Sequence, residues 1–152
     1  MLRACRGFGS TGMEGKIGNL FEDIDKPITV FYLGDHDPSG HDIERDIRQR
    51  TQAASGKEFS MIRLAIHPSD IKAFNLPPQR VKLTDSRAKA FQRRFGIKAP
   101  TVELDALPVD ELRRRVQESI ETLIEWESWD RQTDIEDVEF SSIAVYCRTA
   151  IH

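Results

Sequence analysis

The sequence predicts an α/β domain, a mostly parallel sheet flanked by helices, with a helical C-terminal extension. Three observations predict it. Residues 28–33, ITVFYL, form an apolar, β-branched and aromatic run that reads as a buried strand, and a helical pattern begins from about residue 41. A second such run, 59–66, comes after Ser55-Gly56, and strand–helix–strand order implies a crossover and parallel pairing. Beyond residue 108 the period changes, and Val109, Leu112, Val116, Ile120 and Leu123 share one helix face.

Residues 1–5 read as a short strand entering a glycine-rich turn at 6–12. Met13, Ile17, Leu20, Phe21 and Ile24 recur at helical spacing and predict a helix over 13–24, which Gly15 and Gly18 weaken. Pro27 separates that helix from the strand at 28–33. Ile43, Ile47 and Ala54 mark the helix at 41–54, with Ser39 as its expected N-cap. Glu44 and Arg48 are an expected i,i+4 pair, and Ser55-Gly56 the stop. A short helix is predicted over 70–74, and the prolines at 77 and 78 prevent its continuation. Residues 84–86 cap a helix that runs to Phe95, burying Ala88, Phe91 and Phe95, and Gly96 ends it. Residues 101–104 read as a short strand. Pro108 opens a helix to about Trp129, with Trp126 and Trp129 in its core or an interface. In the tail, 143–146 fit a short strand or an extension that needs a partner. The expected organisation is an α/β domain over 1–107, a helix at 108–132 packed on or beside it, and a tail at 133–152.

Length and composition bound the function. A chain of 152 residues can bury one real core, and 31% charged with 39% hydrophobic residues is ordinary globular usage. No apolar run approaches the ~20 residues that span a membrane, and MLRACRGFGS lacks a signal-peptide core. Cys5 and Cys147 are isolated, with no zinc-type spacing, so a reduced, cytoplasmic setting is expected. The net charge of −3 hides an asymmetry. Residues 80–98 carry seven Lys or Arg against Asp85 alone, whereas residues 118–139 carry nine acids against Arg131 alone. The basic stretch suits a phosphate-rich partner; two solvated faces explain the pattern equally well.

The sharpest chemistry lies in Asp35-His36-Asp37-Pro38-Ser39-Gly40. Side chains two apart in an extended segment point the same way, so Asp35 and Asp37 can aim at one point at the carboxyl end of the strand. Open α/β sheets bind ligands there. Close carboxylates repel unless neutralised, and a hard cation such as Mg²⁺ neutralises them through oxygen ligands. The plain alternative is a turn in which the acids cap backbone N–H groups.

Together with Arg6-Gly7-Phe8-Gly9-Ser10, this stretch resembles the Toprim family, over roughly residues 2–66 and extending toward 107. The Pro-Ser-Gly after the aspartate pair is most similar to the topoisomerase VI A-subunit and mobile-element branch. The resemblance implies a Toprim-like, Rossmann-like fold and Mg²⁺-dependent phosphodiester chemistry on nucleic acid, most readily DNA, with Mn²⁺ as a substitute ion. It implies Asp35 and Asp37 as metal ligands and catalytic residues. Arg6, Ser39, Gly40, Lys82 and Arg87 are the expected phosphate contacts, Ser39 and Gly40 through helix-opening N–H groups. The family's glutamate, on a strand before the glycine-rich turn, has no counterpart, because no glutamate precedes Arg6 and Glu14 falls in the next helix. Relative to that family the chain is expected to be N-terminally incomplete, with a protein partner or a second copy supplying the missing strand. A non-catalytic nucleic-acid-binding or assembly module is the alternative. Of the two tyrosines, Tyr32 lies in the core strand and Tyr146 near the end, so DNA strand transfer is not expected.

Other readings compete locally. His36 and His41 can be solvated loop residues, ligands of a softer metal or phosphate contacts. From Asp35, Asp, Asp, Ser and Gly at positions one, three, five and six resemble a calcium loop, but Asp42 stands where an apolar residue belongs. A haloacid-dehalogenase-type phosphatase also begins with such an acid pair, but that family wants a Thr or similar residue where Pro38-Ser39 stands. Asp42 reads as a first-turn acid or a water-mediated metal contact. Glu103 and Asp105 alternate with apolar residues, as on a wet edge strand or aimed toward the site.

Overall fold

The computed structural model describes residues 11–81 and 84–150. The chain divides into two compact units, the first ending at Val116 and the second beginning at Gln117. The first unit is mixed α/β. The expected strand at 1–5 lies outside the described residues, and so does most of the glycine-rich turn.

Helix α1 spans Thr11–Glu22, and strand β1 spans Thr29–Leu33. Helix α2 covers Pro38–Ser55, then strand β2 covers Ser60–Ala65. The strands pair in parallel, Val30 beside Met61 and Phe31 beside Ile62, as the strand–helix–strand reading requires. Gly18 is buried where α1 crosses α2. A Cβ there would meet Ala54 at 2.6 Å, so the glycine that weakens the helix in isolation is the one that lets the two helices approach. Lys57 ties the end of α1 down by donating to the carbonyls of Glu22 and Ile24. Gly56, with φ of 63°, closes α2 by donating its N–H to Gln52.

Three local expectations are corrected. The N-cap of α2 is Asp37, not Ser39; Pro38 takes the first helical position, and Ser39 lies within the first turn. Glu44 does not pair with Arg48. It accepts from Arg63 at 2.8 Å, while Arg48 reaches the carbonyl of Met61. Nine of the twelve positions of a calcium loop beginning at Asp35, residues 38–46, are already helical, so no such loop exists.

Helix α3 covers Pro68–Ala73, and α4 covers Ala88–Phe95. Asp85 precedes α4 and accepts from the Arg87 N–H, and Ala88 and Phe91 are buried as expected. The expected strand at 101–104 is shorter. Strand β3 (Gln79–Arg80) pairs antiparallel with β4 (Pro100–Thr101), and a single antiparallel bridge joins Val102 to His36. Leu104–Ala106 then form a 3₁₀ turn, so Glu103 and Asp105 leave the strand pattern. The core gathers Ala65, Ile66, Leu76, Val102 and Leu107, with Leu33 and Leu112 packed against it.

Helix α5 spans Val109–Glu121 and is shorter than its apolar stripe suggests. A turn at 122–125 breaks it, and α6 runs over Trp126–Ala150. The tail is therefore helix. The β-branched residues at 143 and 145 suggested a strand, but a helical frame already established at Trp126 carries through them.

In the first unit, Arg115 of α5 donates to both carboxylate oxygens of Asp70, at 2.8 and 2.9 Å, and to the Leu64 carbonyl at 2.9 Å. Burial alone would raise the Asp70 carboxyl, but hydrogen bonds from Arg115 and the His67 N–H hold it below its ordinary range. Removing one partner of a buried, bidentate pair leaves an uncompensated charge and costs about 3–5 kcal/mol. Arg115→Met should therefore lower the denaturation midpoint sharply. Arg113→Met, at an exposed pair with Asp110, should leave it unchanged. Equal effects of the two substitutions would refute the pinning role of Arg115.

Candidate functional site

The site is built where β1 ends. Gly34 is buried and bonded on both sides, its N–H to Ala65 and its carbonyl to the Ile66 N–H. The chain stays extended, and His36 exchanges both backbone hydrogen bonds with Val102, at 2.8 and 3.0 Å. Alternation then decides the side chains. His36 turns into the interior and is 1% exposed, while Asp35 and Asp37 remain partly exposed.

Both aspartates hold backbone. Asp35 Oδ1 accepts from the Leu104 N–H at 2.7 Å, fixing the 3₁₀ turn beside the strand end. Asp37 Oδ1 accepts from the Gly40 N–H at 2.6 Å, the N-cap bond of α2. Oδ2 of each carboxylate has no hydrogen bond among the described residues. Gly40 has a further constraint: a Cβ there would collide with the Asp35 carbonyl, so the turn admits only glycine. Because the Gly40 N–H is taken by Asp37, that donor is not open to a phosphate, which corrects one expected contact.

A groove of about 750 Å³ opens beside Asp35. Glu103 and Asp105 line it with Leu104, Leu107 and Leu112. Three acids thus face one space, although no group of three or more His, Cys, Asp or Glu converges as a metal-ligand set among the described residues. Asp37 is not among the residues that line this groove. Its charge and that of Asp42 act on Arg87, which Asp85 grips through Nε at 2.8 Å and Nη2 at 3.1 Å. The Asp85 carboxyl lies below its ordinary range, held there first by Arg87 and to a smaller degree by the Ser39 hydroxyl. Arg6 and Lys82 lie outside the described residues.

No protein family matches this chain, and no curated protein or solved structure matches it either. The chemistry of the site rests on its own geometry.

Two groups escaped the sequence reading. Arg63, on β2, is the principal one. Its side chain is 8% exposed and lies over the Tyr32 ring, 5.0 Å from the centroid. Nε donates to Glu44 at 2.8 Å. Nη1 donates to the carbonyls of Gly34 and Asp35, at 3.0 and 3.1 Å, and Nη2 to that of Gly40 at 3.3 Å. One guanidinium thus spans the strand end, the acid pair and the start of α2. A single arginine inside an otherwise apolar strand was the available signal.

The second is the histidine pair. His36 Nδ1 and His41 Nε2 are 3.0 Å apart, and the two rings pack at 4.7–5.7 Å against Phe91 and Phe95. Neither is a solvated loop residue. Burial, reinforced by the Arg63 charge, lowers His36 to about 4 and His41 to about 3. The signal available for His36 was the period-2 alternation, which puts it on the face opposite Asp35 and Asp37.

These shifts fix a pH dependence. In the unfolded chain each histidine titrates near its ordinary value of 6.5. Between that pH and about 4 the unfolded chain binds protons that the folded chain does not, so stability falls as the pH is lowered through this window. The urea midpoint should decline from pH 7 to 4.5, and His36→Gln/His41→Gln should flatten the decline. A wild-type midpoint constant over that range would contradict neutral, buried rings.

Proposed function

We propose that this chain carries out, or contributes to, Toprim-type Mg²⁺-dependent phosphodiester chemistry on nucleic acid, with DNA as the expected substrate. The observation that carries this reading is the position of Asp35 and Asp37. They come just after a parallel strand, at its carboxyl end, with one oxygen of each bound to backbone and the other not. Mg²⁺ keeps several waters and binds through one or two carboxylates plus substrate phosphate, so one oxygen from each acid would suffice for it. Asp35 and Asp37 would hold the ion, and Mn²⁺ would replace it. When bound, the ion supplies charge stabilisation to a phosphodiester in transit.

The chain's own residues have separate tasks. Arg63 and Gly40 fix the backbone from which both acids project. Arg87, on which the Asp37 charge acts, would supply a positive charge to an approaching phosphate. Its Asp85 partner neutralises part of it. Arg80, Lys89, Arg93, Arg94 and Lys98 are exposed and offer the sequence-independent attraction of a nucleic-acid backbone.

One observation favours a second reading. Asp35 and Asp37 already serve as caps for Leu104 and Gly40, a purely structural use. A nucleic-acid-binding or assembly module without catalysis would need nothing more from them.

The two readings separate in one experiment. Asparagine retains the Oδ1 acceptor and is as good an N-cap as aspartate, so Asp35→Asn/Asp37→Asn should fold normally. It should lose Mn²⁺ binding and the nicking of supercoiled plasmid that the wild type shows. Equal Mn²⁺ affinity in the two proteins would overturn the metal site, and binding without nicking would leave the module. Replacing Lys89, Arg93, Arg94 and Lys98 by Ala should weaken DNA binding and lower its salt slope by up to about four ions. An unaltered slope would return these residues to a solvated face.

A further inference from the structure

We propose that Ile97 is an apolar wedge, which enters a base step of a nucleic-acid duplex when the basic residues around it engage the phosphates. The proposal rests on the nucleic-acid reading above and adds where the chain meets the bases. Ile97 is 83% exposed, more than any other large hydrophobic residue among the described residues. The turn that carries it is braced at both ends. Helix α4 stops at Gly96, whose φ of 106° suits glycine alone and whose N–H donates to the Gln92 carbonyl at 2.8 Å. The Ala99 N–H closes a tight turn onto the Gly96 carbonyl at 3.1 Å, and the Gln92 side-chain amide donates to the Ile97 carbonyl at 3.2 Å. Pro100 then enters β4 and pairs with Arg80 of β3. Turn tips are ordinarily polar, yet this one presents an isoleucine.

Charge and size together select the partner. Residues 86–102 carry five bases and no acid. Arg93 and Arg94 stand in the last turn of α4, Lys98 follows Ile97 directly, and all three are exposed. Such a setting calls for a polyanion. A polyanion that also rewards a protruding aliphatic group must offer it an apolar interior. A bilayer with anionic headgroups does, but one isoleucine is too little to hold there, where even a whole myristoyl chain binds only marginally. A duplex needs no more than one such side chain, because a single aliphatic wedge partly unstacks a base step and kinks the helix. Lys98, Arg94 and Arg93 are then the cations for the phosphates on either side of that step.

The test uses the full chain in EDTA, where no metal-dependent cleavage occurs. The probe is an alternating thymine–adenine duplex with 2-aminopurine in place of some adenines, since pyrimidine–purine steps open most easily. The wild type should bind and raise the 2-aminopurine emission, which stacking quenches. Ile97→Ala should bind about tenfold more weakly, through lost apolar contact. Its salt slope should equal that of the wild type, because no phosphate contact is lost. At saturation its emission should stay near that of the free duplex. Ile97→Leu should restore both affinity and emission. The side chain is exposed, so both variants should keep the wild-type urea midpoint. Saturated binding without a rise in emission, or a rise that Ile97→Ala retains, would overturn the wedge and leave the nucleic-acid reading standing. A lower salt slope in Ile97→Ala would also overturn the wedge alone. Failure of the wild type to bind the duplex would overturn both, and Ile97-dependent binding to phosphatidylserine vesicles in its place would give the tip to a membrane.

Discussion

The Arg63 guanidinium is the interaction on which the first unit depends. The carboxyl end of β1 must stop pairing, turn and start a helix within five residues, 34–38. The chain leaves the regular ladder there, although the Gly34 carbonyl still accepts from the Ile66 N–H and the Gly40 carbonyl, inside α2, from the Tyr32 hydroxyl. Arg63 supplies donors to the carbonyls of Gly34, Asp35 and Gly40 from a single rigid, charged group. Glu44, one turn into α2, balances its charge. Burial, with the Arg63 charge as the second cause, lowers His36 and His41, so the aromatic cluster stays neutral and packed.

The acid pair is held within that frame. Asp35 reaches forward in the chain to Leu104, and Asp37 caps α2, so each aspartate joins the strand end to another part of the unit. Structural and chemical use are compatible, because a carboxylate has two oxygens and the backbone takes one. Fixing Oδ1 orients Oδ2 without any further residue. The groove beside Asp35 adds Glu103 and Asp105, for which alternation left open the wet face of an edge strand or a position toward the site. The 3₁₀ turn at Leu104–Ala106 redirects them.

How much of this was legible in the sequence differs by element. Strands β1 and β2 and helix α2 announce themselves through long apolar runs and a left-handed glycine stop, and all three stand close to their predicted bounds. The N-cap was misplaced by two residues because Ser39 and Asp37 are both good caps. Pro38 decides between them, since proline fits the first helical position and Asp37 immediately precedes it. The Glu44–Arg63 pair could not be read from local spacing, because its partners are 19 residues apart and meet only through the parallel pairing. The long C-terminal helix was obscured by two apolar lines along it and by β-branched residues, which suit a strand locally. The partly exposed acids follow from alternation, whereas the buried histidine pair and the role of Arg63 required the third dimension.

The most direct test of this account is native-state hydrogen exchange on Arg63→Lys. Lysine keeps the charge and can still pair with Glu44, but it cannot bridge three carbonyls from a planar fork. The account predicts that the amides of His36, Gly40 and Leu104 lose protection by tenfold or more, about 1.4 kcal/mol or above, while Phe31 in mid-strand changes little. Undiminished protection at Gly40 and Leu104 in Arg63→Lys would contradict it, and the organisation of the acid pair would then rest on the aspartates' own caps.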